Sequence, residues 1–220
     1  MMRAVRAVAR WGYHVPILSY HRIGPWRNDQ APTVSAQTFE RHLQWLADWR
    51  YRILSLGALI RLLERRWPLL QRYRIPATLF VIPSRVGRPG FTTWRQVAEM
   101  AEDGVLIGSH TMHHTYLPLV SADRLVEEIV EAKRSIEVSL GRPIHYLSYP
   151  LGGFSATIQA AVRQAGYRGA CTTNRAWFRR GMDPFALRRI KMTERDANPL
   201  RFQAKVSGYY ELFRRLDEPA

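Results

Sequence analysis

The chain has 220 residues, of which 46% are hydrophobic, and 33 Lys and Arg against 18 Asp and Glu give it a formal net charge of +15. This apolar fraction is ordinary for a globular protein, and no segment approaches the ~20 consecutive apolar residues of a membrane span, so we expect a globular fold without a transmembrane helix. The single cysteine, Cys171, excludes an internal disulfide.

The basic surplus predicts an anionic partner, which could be nucleic acid, an acidic membrane surface or a charged glycan. The arginines are scattered, and no zinc-finger, RRM or KH signature is present, so we predict no specific nucleic-acid partner and keep an acidic membrane surface as a candidate. A GC-rich genome would give the same arginine-rich composition. The basic N-terminus lacks the sustained apolar core of a secretory signal, which favours a cytoplasmic or membrane-peripheral location. The sequence does not indicate an oligomeric state.

Strands and helices are predicted to alternate along the chain. Residues 15–21 form an apolar run that we interpret as the first strand, with Tyr20 and His21 at its C-terminal end. Ser35 is a good N-cap for a helix that runs to about Trp49. The inner face of this helix is predicted to carry Phe39, Leu43 and Leu46. The further predicted strands are 51–56, 77–82, 105–107, 146–152 (which ends in a Pro/Gly loop), 169–173 and 187–192, and the further predicted helices are 57–66, 93–103, 121–140, 155–166 and 199–215.

The stretch 57–74 departs from this alternation, because two helical segments follow one another without a strand between them. Elsewhere the alternation predicts an α/β fold with a mostly parallel sheet. Six or seven strands fit an incomplete (β/α) barrel better than an open doubly wound sheet. No Gly-rich phosphate loop follows any strand, which argues against nucleotide binding. There is no internal repeat or linker, so we predict a single domain over residues 1–220.

Three of the seven histidines fall within five positions, directly after the predicted strand 105–107. His110 and His114 are four residues apart, so a helical turn would place both imidazoles on the same side, close enough to share a metal ion, with His113 pointing elsewhere. In α/β proteins the chemistry lies at the C-terminal ends of strands, which favours a site here. The alternative is a solvated polar loop whose histidines bind nothing.

Several segments, taken in chain order, resemble the polysaccharide deacetylase family, the NodB-homology carbohydrate esterases. They are Pro-Ile-Leu-Ser-Tyr-His-Arg-Ile at 16–23, Ile-Pro-Ala-Thr-Leu-Phe-Val at 75–81, Ser-His-Thr-Met-His-His at 109–114, Tyr-Pro-Leu-Gly at 149–152 and Leu-Arg-Arg-Ile at 187–190. The resemblance covers about residues 15–192. It implies a deformed (β/α)7 barrel, a divalent metal ion that is usually zinc, and hydrolysis of an N-acetyl group from a sugar.

The resemblance also implies roles for individual residues. His110 and His114 would be metal ligands, and Thr111 would fix the loop that carries them. A backbone N–H near Leu151 would help to hold the oxyanion, while a metal ion polarises the amide carbonyl and activates water. The expected partner is an N-acetylated carbohydrate or glycolipid. The residues expected to form the substrate groove are Thr111, Tyr149, Pro150, Leu151 and Gly152.

One part of the family pattern is absent from this chain. The family has a Thr-Phe-Asp-Asp-Gly strand just before the helix that leads into residues 75–78, and its two aspartates are the general base and the third metal ligand. Residues 65–74 contain no acidic side chain, and no histidine follows His145 to serve as the family's late catalytic histidine. His21 is our candidate catalytic residue in their place, with Asp29 and Glu64 as further candidates.

Three hypotheses about function therefore stay open. The first is a zinc-dependent hydrolase that removes N-acetyl groups from a glycan or glycolipid, with activity impaired by the absent aspartates, because general acid–base catalysis typically supplies about a hundred- to ten-thousand-fold of rate. The second is a catalytically inactive member of the family that still binds glycan. The third, a basic nucleic-acid or acidic-lipid binder, rests only on the net charge of +15 and predicts binding that weakens steeply with salt.

Overall fold

A computed structural model describes residues 16–24, 33–51, 53, 77–173 and 183–207. The described residues group into two compact units. We call the larger one, with residues 53, 77–173 and 183–187, the central unit, and the other, with residues 16–24, 33–51 and 188–207, the terminal unit. The single-domain assignment stays a prediction.

In the central unit the described strands and helices alternate as predicted, whereas in the terminal unit two short strands, at residues 22–23 and 33–34, were not predicted. The strands are β1 Leu18–Ser19, β2 Arg22–Ile23, β3 Thr33–Val34, β4 Thr78–Val81, β5 Leu106–Ser109, β6 Tyr146–Ser148, β7 Gly169–Thr172, β8 Leu187–Arg188 and β9 Ile190–Lys191. The helices are α1 Ala36–Asp48, α2 Trp94–Glu102, α3 Ala122–Val126, α4 Ala132–Leu140, α5 Ala156–Gln164 and α6 Pro199–Val206. Short 3-10 turns lie at Pro83–Arg85, Leu117–Leu119, Pro150–Gly152, Pro184–Ala186 and Glu194–Ala197.

Five strands form the main sheet, in the order β4-β5-β6-β7-β8, and the pairs β4/β5, β5/β6 and β6/β7 are parallel. Two further parallel pairs, β1/β9 and β2/β3, form separate small sheets in the terminal unit. The prediction of an α/β fold with a mostly parallel, incomplete barrel is confirmed, and the strands of the described ranges do not join into one closed sheet. A parallel sheet brings the C-terminal ends of β5 and β6 to the same edge, and this edge carries the histidines.

Local sequence signals explain where the helices begin and end. Ser35, Thr93, Ser121 and Ser155 each accept a backbone hydrogen bond at the start of a helix, as such residues prefer to do. Gly141 ends α4 with a φ of 64°, a left-handed conformation that suits glycine. The apolar faces of α2, α4 and α5 contribute to the core of the central unit. Its buried core contains Val81, Val97, Ala101, Ile107, Leu117, Ile129, Ile136, Ile144, Leu147, Tyr149, Ile158, Val162, Tyr167 and Ala170.

The predicted helix 121–140 forms with one irregularity. A π-helical segment, Glu127–Glu131, separates α3 from α4. Such an insertion leaves helix carbonyls to be taken up by groups outside the helix, and it is common at functional sites. The amphipathic pattern of the sequence gave no sign of it, because a π-turn shifts the apolar stripe by only one residue.

In the terminal unit, the predicted inner face of α1 is only partly correct. Leu46 is buried, whereas Phe39 and Leu43 are half-exposed, and the buried centre of the helix is His42. The imidazole of His42 stacks on Phe202 with ring centroids 4.3 Å apart, and its Nε2–H donates to the backbone oxygen of Asp196 at 2.7 Å. A buried histidine with such a partner behaves as a satisfied core residue.

Several predictions fall on residues outside the described ranges. They concern the helical stretch 57–74 with its absent strand, most of the predicted strand 51–56, and the candidates Asp29 and Glu64. The terminal helix predicted over 199–215 is described only as far as Val206. Among the described residues, no helix is both long and apolar enough to cross a membrane.

Candidate active site

The segment that carries the three clustered histidines is a loop and not a helical turn. We call residues 110–116 the histidine loop. The prediction of a helical turn was wrong because Thr111 and His114 have φ of 63° and 65°, which takes the backbone out of the right-handed helical region. The loop folds back on itself, and His114 N–H donates to Thr111 Oγ1 at 3.1 Å. Each left-handed non-glycine residue costs roughly 1–2 kcal/mol, so the surroundings must hold this loop in place.

His110 and His114 nevertheless converge, as the metal hypothesis requires. Their ring centroids are 4.7 Å apart and their planes are nearly perpendicular, at 88°. His110 Nδ1 lies 2.6 Å from the backbone oxygen of Ser148, which can only accept, so Nδ1 carries the proton and Nε2 carries the lone pair. A hydrogen bond of this kind fixes the tautomer and the orientation of metal-binding histidines.

Burial lowers the pKa of His114, and the positive charge of Arg85 lowers it further, against smaller opposite effects of a backbone hydrogen bond and of Glu128. The imidazole is therefore held in its neutral form at neutral pH. Only a neutral imidazole can bind a metal ion. The surroundings of His114 thus favour the neutral imidazole, the form that a metal ligand needs.

The other predicted residue of this loop, Thr111, is fully buried. Its hydroxyl accepts from His114 N–H, and its backbone N–H donates to Ser109 Oγ at 3.2 Å. In the structure Thr111 shapes the loop and does not line an open groove. The His113 side chain contacts Glu128 instead, and its Nδ1 lies 3.1 Å from Glu128 Oε1.

Glu128 is the residue that sequence reasoning missed. It is fully buried and accepts hydrogen bonds from the histidine loop. A signal for it exists in the sequence, because Glu128 falls on the apolar stripe of the long amphipathic helix, between Leu125 and Ala132. A carboxylate on a buried face is almost always paired, and a search for its partners would have been justified.

The second predicted part of the site is the turn Pro150–Gly152, at the end of β6. Tyr149, just before it, is fully buried, and its hydroxyl donates to the backbone oxygen of Phe185 at 3.1 Å. The Tyr149 side chain is therefore a core group that anchors the turn. Leu151 has a φ of 52°, and its side chain is 68% exposed. Among the described residues, the Leu151 N–H has no acceptor.

Two threonines at the end of β7 hold this turn. Thr172 Oγ1 donates to the backbone oxygen of Gly152 at 2.7 Å, and Thr173 Oγ1 donates to that of Leu151 at 3.0 Å. Gly152 has a φ of 77°, and a Cβ at this position would lie 2.0 Å from Thr173 Oγ1 and 2.7 Å from Thr173 N. The turn therefore requires glycine here, both for its backbone conformation and for the close approach of β7.

We expect Gly152→Ala to destabilise the protein by more than the ~1–3 kcal/mol of a strained backbone residue, because the backbone N of Thr173, directly after β7, would also have to move. The measurement is the urea-unfolding midpoint. Gly87→Ala is the matched control, since Gly87 has a φ of 81° but open space around its Cβ position. An equal loss of stability in both variants would contradict the proposed close contact with Thr173.

The donor set fits part of a zinc site. Two neighbouring imidazoles, of which His110 has its tautomer fixed by the Ser148 carbonyl, suit zinc, which takes three protein ligands in hydrolases. Within the ranges that the structure describes, no group of three His, Cys, Asp or Glu side chains is placed to hold a metal ion. His21 follows β1 in the terminal unit, and Asp29 and Glu64 lie outside the described residues, so all three remain predictions as further catalytic groups.

The comparison with protein families decides the classification. The model of the polysaccharide deacetylase family matches residues 61–170, which is half of the chain and includes both the histidine loop and the turn at Pro150–Gly152. The chain belongs to the polysaccharide deacetylase family. The resemblance found in the ordered sequence motifs is thereby confirmed.

Individual family members give the same classification. YxkH of Bacillus subtilis, a protein assigned to the polysaccharide deacetylases, is 25% identical over 202 residues, which cover 81% of this chain and 71% of YxkH. The peptidoglycan-N-acetylglucosamine deacetylase of Bacillus cereus is 32% identical over 101 residues, which cover 46% of this chain and 45% of that enzyme.

A solved structure supports the fold. The Streptococcus pyogenes deacetylase PplD, determined in complex with acetate, superposes with a TM-score of 0.74 at 22% identity, covering 83% of this chain and 94% of PplD. At this identity the similarity shows the fold, namely the deformed barrel of the family.

Proposed function

We propose that this chain is a metal-dependent hydrolase that removes N-acetyl groups from a glycan or glycolipid. The observation that carries the proposal is the convergence of His110 and His114, with centroids 4.7 Å apart, beside the turn that follows β6. The hydrogen bond from His110 to the Ser148 carbonyl joins the histidine loop directly to the end of β6, just before this turn. Family membership supports the reaction class. The geometry supports the position of the active site at these two histidines and the neighbouring turn.

His110 and His114 are the residues that would hold the metal ion, and zinc is the ion that an imidazole donor set favours. When bound, such an ion polarises a carbonyl oxygen and lowers the pKa of a bound water molecule. The Ser148 carbonyl keeps the His110 lone pair on Nε2. The burial of His114 and the charge of Arg85 keep its imidazole deprotonated and ready to bind.

Leu151 N–H is the proposed donor to the oxygen of the acetamide as negative charge develops there. A rigid N–H donor is effective in this role because it needs no reorganisation during the reaction. The two threonine bonds from β7 and the buried Tyr149 give the turn that rigidity. The exposed Leu151 side chain leaves the apolar edge of the turn open to a substrate.

The general base is the part of the mechanism for which residues 65–74 supply no acidic side chain. His21, Asp29 and Glu64 are the proposed substitutes for the absent aspartates. We therefore propose a turnover lower than that of family members with the aspartate pair. The alternative function is that of an inactive family member that binds glycan, and the absent Thr-Phe-Asp-Asp-Gly strand favours it.

We propose the substrate class from the named activity of a relative. The Bacillus cereus relative is named for action on peptidoglycan N-acetylglucosamine, so we propose a glycan that contains N-acetylglucosamine as the substrate here. The net charge of +15 favours work beside an anionic surface, such as an acidic membrane.

The test is acetate release from an N-acetylglucosamine oligosaccharide, measured with chelator-treated protein before and after addition of zinc. Release that depends on zinc is the expected result. Binding of the oligosaccharide without release would support the inactive glycan-binding alternative. If neither binding nor release occurs, the proposed function is wrong.

A further inference from the structure

Glu128 is a fully buried carboxylate that receives several hydrogen bonds from the histidine loop. His113 N–H donates to its Oε2 at 3.0 Å. The other carboxylate oxygen, Oε1, accepts from Thr115 Oγ1 at 2.9 Å and lies 3.1 Å from His113 Nδ1. These donors flank His114 on both sides, so the carboxylate holds the backbone from which this imidazole extends.

The backbone of the same residue contributes a further bond. In a regular α-helix, Ala132 N–H would donate to the carbonyl of Glu128. In the π-helical segment, Ala132 N–H is directed instead to the carbonyls of Glu127 and Ile129. The Glu128 carbonyl is thereby available to the loop, and it accepts from Met112 N–H at 3.2 Å. The helical irregularity and the buried carboxylate thus serve the same segment.

The loop needs such support because of its backbone. Thr111 and His114 have φ of 63° and 65°, conformations that non-glycine residues keep only where their surroundings impose them. The bonds to Glu128 come from residues 112–115, which lie between and beside these two strained positions. Without them, the loop would be free to relax to ordinary backbone angles, and the two imidazoles would no longer meet.

The carboxylate is also in the right ionisation state for this task. Burial raises the pKa of Glu128, but hydrogen bonds from His113, Thr115 and Thr111 outweigh burial and hold the pKa below its ordinary value. At neutral pH Glu128 is therefore ionised and can only accept hydrogen bonds, which matches the donors that face it.

We propose that Glu128 is a positioning residue that sets the convergence of His110 and His114, and hence the affinity of the site for a divalent metal ion. This inference rests on the proposed function. Glu128 acts through the loop, and its carboxylate accepts from His113 and Thr115, neither of which is a proposed metal ligand.

The experiment is a zinc titration of the whole chain in competition with a chromophoric chelator. We expect Glu128→Gln to weaken zinc binding about 10- to 100-fold, the range found when a residue that orients a metal ligand is replaced. The amide offers one acceptor atom in place of two and presents hydrogens to donors. Glu127→Gln is the matched control, because Glu127 is a solvent-accessible neighbour that pairs with Arg124 at 2.6 Å. We expect the control to bind zinc within about two-fold of the wild type.

Equal zinc affinity in wild type and Glu128→Gln would overturn the inference. If the wild type itself binds no zinc, the proposed function fails, and the imidazole NMR signals of the metal-free protein then decide the inference alone. Shifted His110 and His114 signals in Glu128→Gln, with unchanged signals in Glu127→Gln, support it. Unchanged signals in both variants refute it.

A purely structural role of Glu128 would lower the unfolding midpoint and leave the zinc affinity of the folded protein unchanged. Thr115→Val provides a milder variant should Glu128→Gln fail to fold, since it removes a single hydrogen bond to Oε1. We expect a loss of zinc affinity in this variant that is smaller than in Glu128→Gln. Wild-type affinity in a folded Thr115→Val protein would count against the inference.

Discussion

His114→Ala is expected to remove stoichiometric zinc from the purified protein and to lower acetate release at least about 100-fold. The magnitude follows because a metal ion supplies several kcal/mol of transition-state stabilisation, and about 1.4 kcal/mol corresponds to a factor of ten in rate. His110→Ala should have the same effect, since the two imidazole rings lie with their centroids 4.7 Å apart and are the proposed ligands of the same ion. The measurements are elemental analysis and acetate release on the same preparations.

His145→Ala is the control for this prediction, because His145 precedes β6 and has no part in the proposed site. It should retain both zinc and activity. Wild-type zinc content in His110→Ala and His114→Ala would contradict the proposed metal site. Loss of zinc together with unchanged acetate release would show that hydrolysis does not need this ion.

Lys205→Met is expected to destabilise the protein by about 3–5 kcal/mol, the cost of leaving one charge of a buried ion pair without its partner. Lys205 Nζ donates to Asp196 Oδ2 at 2.8 Å and to the backbone oxygen of Lys191 at 2.8 Å. Both charged side chains are buried, and Asp196 is fully so. The measurement is the free energy of unfolding in urea.

Two further variants test whether the unpaired charge of Asp196 causes the loss of stability. The double variant Lys205→Met with Asp196→Asn should recover part of the loss, because it removes the unpaired charge and keeps an acceptor for Thr193, whose N–H lies 2.7 Å from Asp196 Oδ2. Lys191→Met, at an exposed position, should change stability by less than about 0.5 kcal/mol. A Lys205→Met protein as stable as the wild type would show that the pair contributes nothing.

Much of the fold could be predicted from the sequence because its signals are local. Ser35, Thr93 and Ser155 mark helix starts by hydrogen bonds that close within three residues, and the structure places helices there. Short apolar runs between helices predict parallel strands, and β4 to β7 follow them. The order of the motifs then identified the family.

The shape of the site could not be predicted in the same way. The spacing of His110 and His114 suggested a helical turn, yet the imidazoles meet through a loop with two left-handed residues, stabilised by bonds to Glu128 that span 13 to 15 positions of the chain. A local sequence pattern does not predict contacts between residues that are this far apart in the chain. His42 was missed for the same reason, because its partners Asp196 and Phe202 are remote in sequence.

The most direct test is an anomalous difference map, recorded at the zinc edge from crystals of the whole chain grown with zinc. We predict one strong peak bonded by the side chains of His110 and His114. A map with no peak at these two imidazoles, or with zinc bound elsewhere on the chain, would contradict the proposal that they form a metal site.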